Sequence, residues 1–340
     1  MYFKCQVCGQ KYRIDSLKYR CECGGLFRLN RKKTGMIDTK LTLGEMVTPV
    51  LKSKLAGREA YLKLDYFMPT GSFKDRGAVV MIDILAKSGI EEIVEDSSGN
   101  AGAAIAAYAA AANIKCTIFL PADTSQGKIK QIKAYGSEIV RVPGDREATS
   151  RAVLKAAENT YYASHVYNPL FFTGTASLAY ELDKNPGIPD TIFVPVGNGT
   201  MILGLFRGFK EIGRMPRLIA VQTETCSPVF SSYLNNLENV ENKREESTEE
   251  NTSTIAEGIA VGNPQRNKEI IKAVEESKGE VITVSEDEIK SAYHALHKKG
   301  IYIEPTAAAA PAGFIRCVEE GNINKDEKVV VPLTGSGLKK

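Results

Sequence analysis

The amino-acid sequence predicts an α/β protein with a small cysteine-rich segment in front of it. Apolar runs of strand length alternate with helix-length segments over most of the 340 residues, which is the pattern of parallel βαβ units. Loops rich in glycine and hydroxyl groups follow several of these runs, and ligands bind beyond the carboxyl ends of parallel strands. The cysteine-rich segment precedes this alternation, because four of the seven cysteines fall within the first 23 positions.

Seven apolar runs have the length and composition of strands. They are residues 60–64, 92–95, 116–120, 138–142, 191–196, 218–222 and 329–332. Residues 235–254 are polar and charged, and we predict an exposed loop there. A chain of this length with 43% hydrophobic residues can bury a large core and form two or three compact units.

The charge balance is typical of a protein that acts on small molecules. Basic residues number 44 and acidic residues 41, so neither a nucleic-acid-binding surface nor a membrane-binding surface is predicted. The longest weakly polar run, residues 101–114, is too short to span a bilayer, which needs about 20 apolar residues. The first residues lack the pattern of a secretory signal, and we therefore expect a cytoplasmic location.

Residues 1–30 have the composition of a separate zinc-binding unit. Two residues lie between Cys5 and Cys8, one residue lies between Cys21 and Cys23, and two glycines follow. Two thiolate pairs on short turns are the layout of a zinc ribbon, and a disulfide framework is not expected in a long intracellular chain. Four ligands leave no open coordination position, so the zinc would be structural. A ribbon that folds without metal is the alternative.

A candidate catalytic lysine lies in the sequence Pro-Thr-Gly-Ser-Phe-Lys-Asp-Arg-Gly of residues 69–77. Ser72 and Asp75 have the spacing of a capping box, which predicts that a helix begins at Ser72. Lys74 would lie in the first turn, where the helix dipole, Arg76 and burial lower the pKa of its amine. A neutral amine can attack an aldehyde and form an imine. The alternative is a surface lysine on a capped helix.

Three further loops contain groups that suit an anionic ligand. The first, Ser97, Ser98, Gly99 and Asn100, opens an alanine-rich helix and suits a carboxylate or a phenolate oxygen. The second contains the predicted phosphate cradle, which consists of Gly197, Asn198, Gly199 and Thr200. The third, residues 333–338, offers hydroxyl groups rather than a carboxylate. Each loop taken alone could be an ordinary glycine-rich turn.

Taken together and in this order, these loops resemble the threonine synthase family over roughly residues 40–338. That family belongs to the pyridoxal-phosphate enzymes with the fold of the tryptophan synthase β-subunit. The resemblance implies that pyridoxal 5'-phosphate is bonded to Lys74, that Asn100 binds its ring hydroxyl and that Thr334 meets its pyridine nitrogen. It implies a phosphate site made of Gly197, Asn198, Gly199 and Thr200. It also implies substrate contacts from Ser97, Ser98 and Asn168.

The resemblance also implies a domain organisation. The large cofactor-binding domain would comprise residues 31–82 and 166–340, and the small domain residues 83–165. The ribbon predicted at residues 1–30 resembles the N-terminal ribbons of some threonine synthases. A homodimer that binds an amino-acid substrate is expected.

Two positions depart from the family's pattern. Members that use O-phosphohomoserine have Asn-Pro-x-Arg where this chain has Asn168-Pro169-Leu170-Phe171, and they have an arginine at the position of Ala260. Residues 255–261 look like the corresponding loop of threonine and serine dehydratases. Arginine binds a phosphate dianion through two parallel hydrogen bonds, and both of these arginines are missing.

The predicted reaction is the conversion of O-phospho-L-homoserine and water to L-threonine and phosphate, as the resemblance implies for a pyridoxal-phosphate-dependent carbon–oxygen lyase. One alternative keeps the cofactor and changes the reaction to threonine or serine dehydration, or to β-replacement on a serine derivative. Another alternative is a binding or regulatory protein without catalysis.

Overall fold

The computed structural model describes residues 1–32, 34–237 and 253–339. Its strands are β1 (Tyr2–Cys5), β2 (Lys11–Tyr12), β3 (Phe27–Asn30), β4 (Val50–Leu55), β5 (Arg58–Lys63), β6 (Glu92–Glu95), β7 (Lys115–Pro121), β8 (Glu138–Val142), β9 (Tyr161–Tyr162), β10 (Thr191–Pro195), β11 (Arg217–Thr223), β12 (Glu280–Val284) and β13 (Val329–Pro332). Its α-helices are α1 (Asp75–Lys87), α2 (Asn100–Ala111), α3 (Gln126–Ala134), α4 (Arg146–Ala156), α5 (Pro169–Thr175), α6 (Ser177–Lys184), α7 (Thr200–Ile212), α8 (Pro228–Leu237), α9 (Asn267–Glu276), α10 (Glu286–His297) and α11 (Pro305–Glu319).

The seven predicted strands are confirmed as β5, β6, β7, β8, β10, β11 and β13. The predicted loop at residues 235–254 is wrong at its start, because α8 continues through Leu237. Asn235 and Asn236 prolong the last turn of that helix instead of ending it. Most of the remaining predicted loop, residues 238–252, lies outside the described residues.

The chain forms two compact units, of which the first comprises Met1–Met46 and Met68–Ser177. This unit contains a four-stranded sheet in the order β8-β7-β6-β9, and every neighbouring pair in it is parallel. Because all four strands run in the same direction, their carboxyl ends lie at one edge of the sheet. The loop that follows β6 and the segment that follows β9 both begin at that edge.

The cysteine-rich segment belongs to the same first unit. Its strands form an antiparallel sheet in the order β2-β1-β3. The rings of Phe3 and Phe27 are stacked with their centroids 5.7 Å apart. Both rings belong to one buried cluster with apolar residues of α1, α2 and α5. The small sheet therefore shares a hydrophobic core with the helices of this unit.

Two glycines allow α1 and α5 to pack against each other at very short range. A Cβ atom on Gly77 of α1 would lie 2.4 Å from the ring of Phe171 in α5. A Cβ atom on Gly174 of α5 would lie 2.1 Å from the carbonyl oxygen of Arg76. Any larger residue at either position would have to displace a ring or the backbone. The start of α1 is thus fixed against α5.

The second unit comprises Val47–Phe67 and Leu178–Lys339. It contains a six-stranded sheet in the order β12-β11-β10-β13-β5-β4, in which β4 is antiparallel and the other neighbours are parallel. Fully buried rings of Phe193 in β10 and Phe314 in α11 meet edge to face, with their centroids 5.7 Å apart. The loops that follow β10 and β13 start at the carboxyl edge of this sheet.

No helix in the described ranges is long and apolar enough to cross a membrane. The division into residues 1–30, 31–82 with 166–340, and 83–165 stays a prediction.

Candidate active site

Lys74 lies immediately before α1 rather than inside it. The helix begins at Asp75, and Lys74 occupies the N-cap position with φ −62° and ψ −23°. The predicted start at Ser72 is wrong, and the Ser72 hydroxyl has no hydrogen-bond partner among the described residues. The Asp75 carboxylate accepts hydrogen bonds from the backbone N–H of Thr70, at 2.7 Å, and from the Thr70 hydroxyl, at 2.5 Å. These contacts tie the loop before Lys74 to the first turn of α1.

The surroundings of Lys74 are aromatic. Its Nζ atom lies 4.8 Å from the ring centroid of Phe73 and 5.7 Å from that of Phe171. Arg76 is buried and donates from its guanidinium group to the hydroxyl of Ser177, at 3.0 Å. Phe171 itself is fully buried. The ring thus lies beside Lys74 at the position where phosphohomoserine-using relatives are expected to have an arginine.

The loop after β6 places the predicted ring-binding and substrate-binding residues at the start of α2. Asn100 is the first residue of that helix, and Gly99 is its N-cap. Ser97 is buried, and its Oγ atom accepts a hydrogen bond from the Gly99 N–H at 3.3 Å. A Cβ atom on Gly102 would lie only 1.8 Å from the carbonyl oxygen of Ser97, so the loop folds tightly over the first turn.

Just before this loop, Glu95 pairs with a buried histidine that the sequence interpretation left without a role. Glu95 Oε1 lies 2.6 Å from Nδ1 of His165, and both side chains are almost completely buried. Burial raises the pKa of Glu95 well above its ordinary value. Burial, followed by the charge of Lys74, lowers the pKa of His165 well below its ordinary value. Both shifts favour the uncharged forms, so the contact is a hydrogen bond rather than an ion pair.

Asn168 caps α5 and contacts a neighbouring tyrosine. Its Oδ1 atom accepts a hydrogen bond from the N–H of Leu170 at 3.0 Å, and its Nδ2 atom donates to the hydroxyl of Tyr161 at 3.0 Å. His165 lies three positions earlier, and its ring meets that of Phe171 at a centroid distance of 5.9 Å. Asn168 thus lies between two residues, His165 and Phe171, whose rings are in contact.

The predicted phosphate loop lies in the second unit, between β10 and α7. Gly199 is the N-cap of α7 and has a φ of 74°, a left-handed conformation that glycine adopts without strain. A Cβ atom on Gly199 would lie 2.5 Å from Ile270, and one on Gly197 would lie 2.9 Å from Val261. Thr200, the first residue of α7, is buried. Backbone N–H groups at the start of a helix suit a phosphate group, and the phosphate site stays a prediction.

The loop after β13 presents an unsatisfied hydroxyl group. Thr334 is buried, and its Oγ1 atom has no hydrogen-bond partner in the part of the chain that the structure describes. A buried hydroxyl without a partner is costly, and a ligand atom can satisfy it. A Cβ atom on the next residue, Gly335, would lie 2.2 Å from the carboxylate of Glu304. The loop is therefore closely packed around the position of Thr334.

The four N-terminal cysteines form a compact cluster of sulfur atoms. Their Sγ atoms all lie within 4.8 Å of one another. Three of the pairs are 3.5 Å apart, namely Cys5 with Cys23, Cys8 with Cys21, and Cys8 with Cys23. The Tyr12 hydroxyl contacts Cys21 Sγ at 3.2 Å and lowers the pKa of that thiol to about 6. Zinc–thiolate bonds of about 2.3 Å in a tetrahedron require similar sulfur separations. The cluster has the donor set and the spacing of a structural zinc site.

Comparison with known proteins assigns the chain to a family. Residues 41–335 match the family of pyridoxal-phosphate dependent enzymes. The chain is 31% identical to the threonine synthase of Methanocaldococcus jannaschii, over 100% of this chain and 93% of that protein. It is 36% identical to the threonine synthase of a Bacillus species, over 88% of this chain and 85% of that protein. The chain belongs to the threonine synthase family of pyridoxal-phosphate dependent enzymes.

A solved structure supports the fold of this pyridoxal-phosphate dependent enzyme. The processed form of threonine deaminase isoform 2 from Solanum lycopersicum aligns with a TM-score of 0.75 and 22% sequence identity. The alignment covers 88% of this chain and 81% of that one. The predicted fold class, that of the tryptophan synthase β-subunit, is confirmed.

Three residues of this site were not predicted to have a role, namely Glu95, His165 and Tyr161. Glu95 ends a short apolar strand, and His165 follows another, so each resembles an ordinary strand-end residue in the sequence. The signal that could have identified Glu95 and His165 is their position at or beyond the carboxyl ends of parallel strands.

Replacing Glu95 with glutamine should remove a pH-dependent cost of folding. The folded protein holds the Glu95 proton more tightly than the unfolded chain does, so wild-type stability falls as the pH rises above the ordinary carboxyl value of 4.5. Glu95→Gln keeps a hydrogen-bonding group beside His165 and lacks this slope. We expect the stability of the variant relative to the wild type to rise as the pH increases above about 5, by at most about 1.4 kcal/mol per pH unit.

Urea denaturation at each pH measures this difference in the free energy of unfolding. Glu59→Gln, which changes an exposed glutamate, serves as the control and should show a much flatter difference. A difference for Glu95→Gln that shrinks with rising pH would contradict the burial of an uncharged carboxyl group.

Proposed function

We propose that this enzyme is a threonine synthase, which converts O-phospho-L-homoserine and water to L-threonine and phosphate. The observation that carries the proposal is the similarity to threonine synthases along the whole chain, including the cysteine-rich segment. The resemblance of the lysine loop and of the Thr334 loop to those of the family also supports the proposal.

The described residues fit pyridoxal 5'-phosphate, which supplies an electron sink for negative charge at the Cα atom of an amino acid when it is bound. Lys74 carries the cofactor, and Asn100 donates a hydrogen bond to its ring hydroxyl. Backbone N–H groups of the loop Gly197, Asn198, Gly199 and Thr200 bind its phosphate. The hydroxyl of Thr334 meets the ring nitrogen, which is supported by its burial without a partner among the described residues. The phosphate loop is supported by glycines that leave no room for a Cβ atom.

Lys74 also moves protons during the reaction. Its Nζ atom would accept the proton from the substrate Cα and would later move a proton at Cβ. The carbon–oxygen bond at Cγ would break and phosphate would leave. Cγ would gain the proton that Cβ loses, and the hydroxyl of water would add at Cβ. The other proton of that water would leave with the phosphate, and Cα would regain the proton that Lys74 had taken. Ser97 and Ser98 bind the substrate carboxylate at the N-terminus of α2, where the helix dipole favours negative charge. Asn168 contacts the substrate from the start of α5.

Dehydration of threonine or serine is the second candidate function, and a specific observation favours it. Phe171 is fully buried against Gly77, so this position offers a ring and no positive charge to a substrate phosphate. Ala260 offers no charge either. A phosphate dianion in a closed site needs charged partners, whereas the hydroxyl of threonine does not. β-Replacement on a serine derivative has the same advantage.

A binding or regulatory protein without catalysis is the candidate of another class. Retention of the lysine, the ring-binding asparagine and the phosphate loop argues against it. A change in cofactor absorbance on addition of an amino acid distinguishes an enzyme from such a protein.

Zinc bound by Cys5, Cys8, Cys21 and Cys23 is the proposed metal of the ribbon. The proposal rests on the sulfur separations, which are those of tetrahedral thiolate coordination. A homodimer in the cytoplasm is proposed from the resemblance to the family.

Metal analysis of the purified protein should find about one zinc ion per chain. Cys8→Ser replaces an exposed ligand and should lose most of the metal, because a serine hydroxyl is a much weaker zinc ligand than a thiolate. Cys226→Ser changes a cysteine outside the cluster and should keep the metal. Zinc at full occupancy in Cys8→Ser would contradict the proposed site.

Product analysis should distinguish the two enzymatic candidates. The enzyme is incubated separately with O-phosphohomoserine, threonine, serine and O-phosphoserine, and phosphate, threonine and 2-oxo acids are measured. Threonine and phosphate in equal amounts from O-phosphohomoserine are the expected products. Lys74→Ala should reduce their formation by at least about a hundredfold, since it removes the proton-transferring amine. The control ensures that the products come from the proposed site.

2-Oxobutyrate from threonine, without release of phosphate from O-phosphohomoserine, would overturn threonine synthase in favour of a dehydratase. Turnover that persists in Lys74→Ala would exclude Lys74 as the catalytic amine.

A further inference from the structure

A chain of hydrogen bonds connects the cysteine-rich segment to Asn168 through the hydroxyl of Tyr161. The hydroxyl donates to the carbonyl oxygen of Ile14 at 3.0 Å and accepts from Asn168 Nδ2 at 3.0 Å. Tyr161 is almost completely buried, so little water can replace either contact. A phenol has one hydrogen to donate, and its partner here is the backbone of the cysteine-rich segment.

The hydrogen bonds of Asn168 fix the orientation of its side-chain amide. Its Oδ1 atom accepts from the Leu170 N–H, and its Nδ2 atom donates to Tyr161. Reversing the amide would set donor against donor at Leu170. Tyr161 thus holds the amide in the orientation in which it caps α5.

Helix α5 passes this constraint on to the catalytic lysine. Phe171 is in contact with Gly77, and Gly174 is in contact with the carbonyl of Arg76. Arg76 and Gly77 both lie in the first turn of α1. The Phe171 ring is 5.7 Å from Lys74 Nζ. A shift at the first turn of α5 would therefore change the surroundings of Lys74.

The acceptor end of the hydrogen-bonded chain, in the cysteine-rich segment, is also held in place. The ring of Tyr19, in the cysteine-rich segment, packs edge-on against Tyr162 and Tyr167, with centroid distances of 5.9 and 5.0 Å. Tyr162 follows Tyr161 in β9, and Tyr167 precedes Asn168. Aromatic contacts thus flank the hydrogen-bonded chain on both sides.

We propose that Tyr161 is a positioning residue through which the cysteine-rich segment orients Asn168 and the start of α5 beside Lys74. The cysteine-rich segment would then help to fix the geometry of the candidate active site. The effect on the substrate rests on the proposed function, because it requires that Asn168 contacts the amino acid. The effect on α5 does not depend on it.

Tyr161→Phe tests this role, because it removes the hydroxyl and keeps the buried ring. Tyr19→Phe is the matched control, since it removes a tyrosine hydroxyl from the same contact region and keeps the ring contacts. Both variants should retain the zinc content and the cofactor absorbance of the wild type. We expect amide hydrogen exchange in residues 163–176 to accelerate about tenfold in Tyr161→Phe and to stay within about twofold of the wild type in Tyr19→Phe.

Titration with L-threonine, followed through the cofactor absorbance, measures the effect on the substrate site. Its apparent dissociation constant should rise about tenfold in Tyr161→Phe and stay within about twofold in Tyr19→Phe. Asn168→Ser keeps a helix cap and removes the amide donor. Combining it with Tyr161→Phe should add little further loss, because both changes break the same hydrogen bond.

Unchanged exchange in Tyr161→Phe, or equal acceleration in both tyrosine variants, would overturn the positioning role. Fully additive losses in the double variant would also overturn it. If Tyr161→Phe does not fold, hydrogen exchange in Asn168→Ser replaces it, and exchange that equals the wild type would reject the role. If the wild type makes no threonine from O-phosphohomoserine but exchange is accelerated in Tyr161→Phe, only the proposed function is rejected and the positioning role stands.

Discussion

The close approach of α1 and α5 is the constraint on which the first unit depends. Gly77 and Gly174 remove the side chains that would separate the two helices, so a phenylalanine ring packs against one backbone and a carbonyl against the other. Lys74 directly precedes α1, and Asn168 directly precedes α5. The packing of two helices thus sets the position of both residues, which are 94 positions apart in the chain.

This packing also bears on the substrate. Phe171 is buried in the space that Gly77 leaves, and an arginine in its place would bring a charged group into that space. The departure at Phe171 from the arginine expected of phosphohomoserine-using members therefore lies in the core of this unit. A threonine synthase with this core must bind the substrate phosphate through other groups, whereas a dehydratase needs no such groups.

Much of the fold follows from local patterns in the sequence. Strands β6, β8 and β13 have the predicted limits, because each is a short apolar run between turns. The lysine loop and the phosphate loop follow strands as predicted. The spacing of Ser72 and Asp75 predicts a start of α1 that is three residues too early, because the Asp75 carboxylate binds Thr70. The pair of Glu95 and His165 joins residues 70 positions apart, and no local pattern indicates such a contact.

We propose that Lys74 carries the cofactor beside the contact between α1 and α5. Treatment of the purified enzyme with borohydride reduces the bond between a lysine amine and an aldehyde cofactor to a stable secondary amine, and peptide mapping then identifies the lysine. We expect the label on the peptide that contains Lys74, in the sequence Pro-Thr-Gly-Ser-Phe-Lys. A label on another lysine, or a label of equal yield in Lys74→Ala, would contradict it.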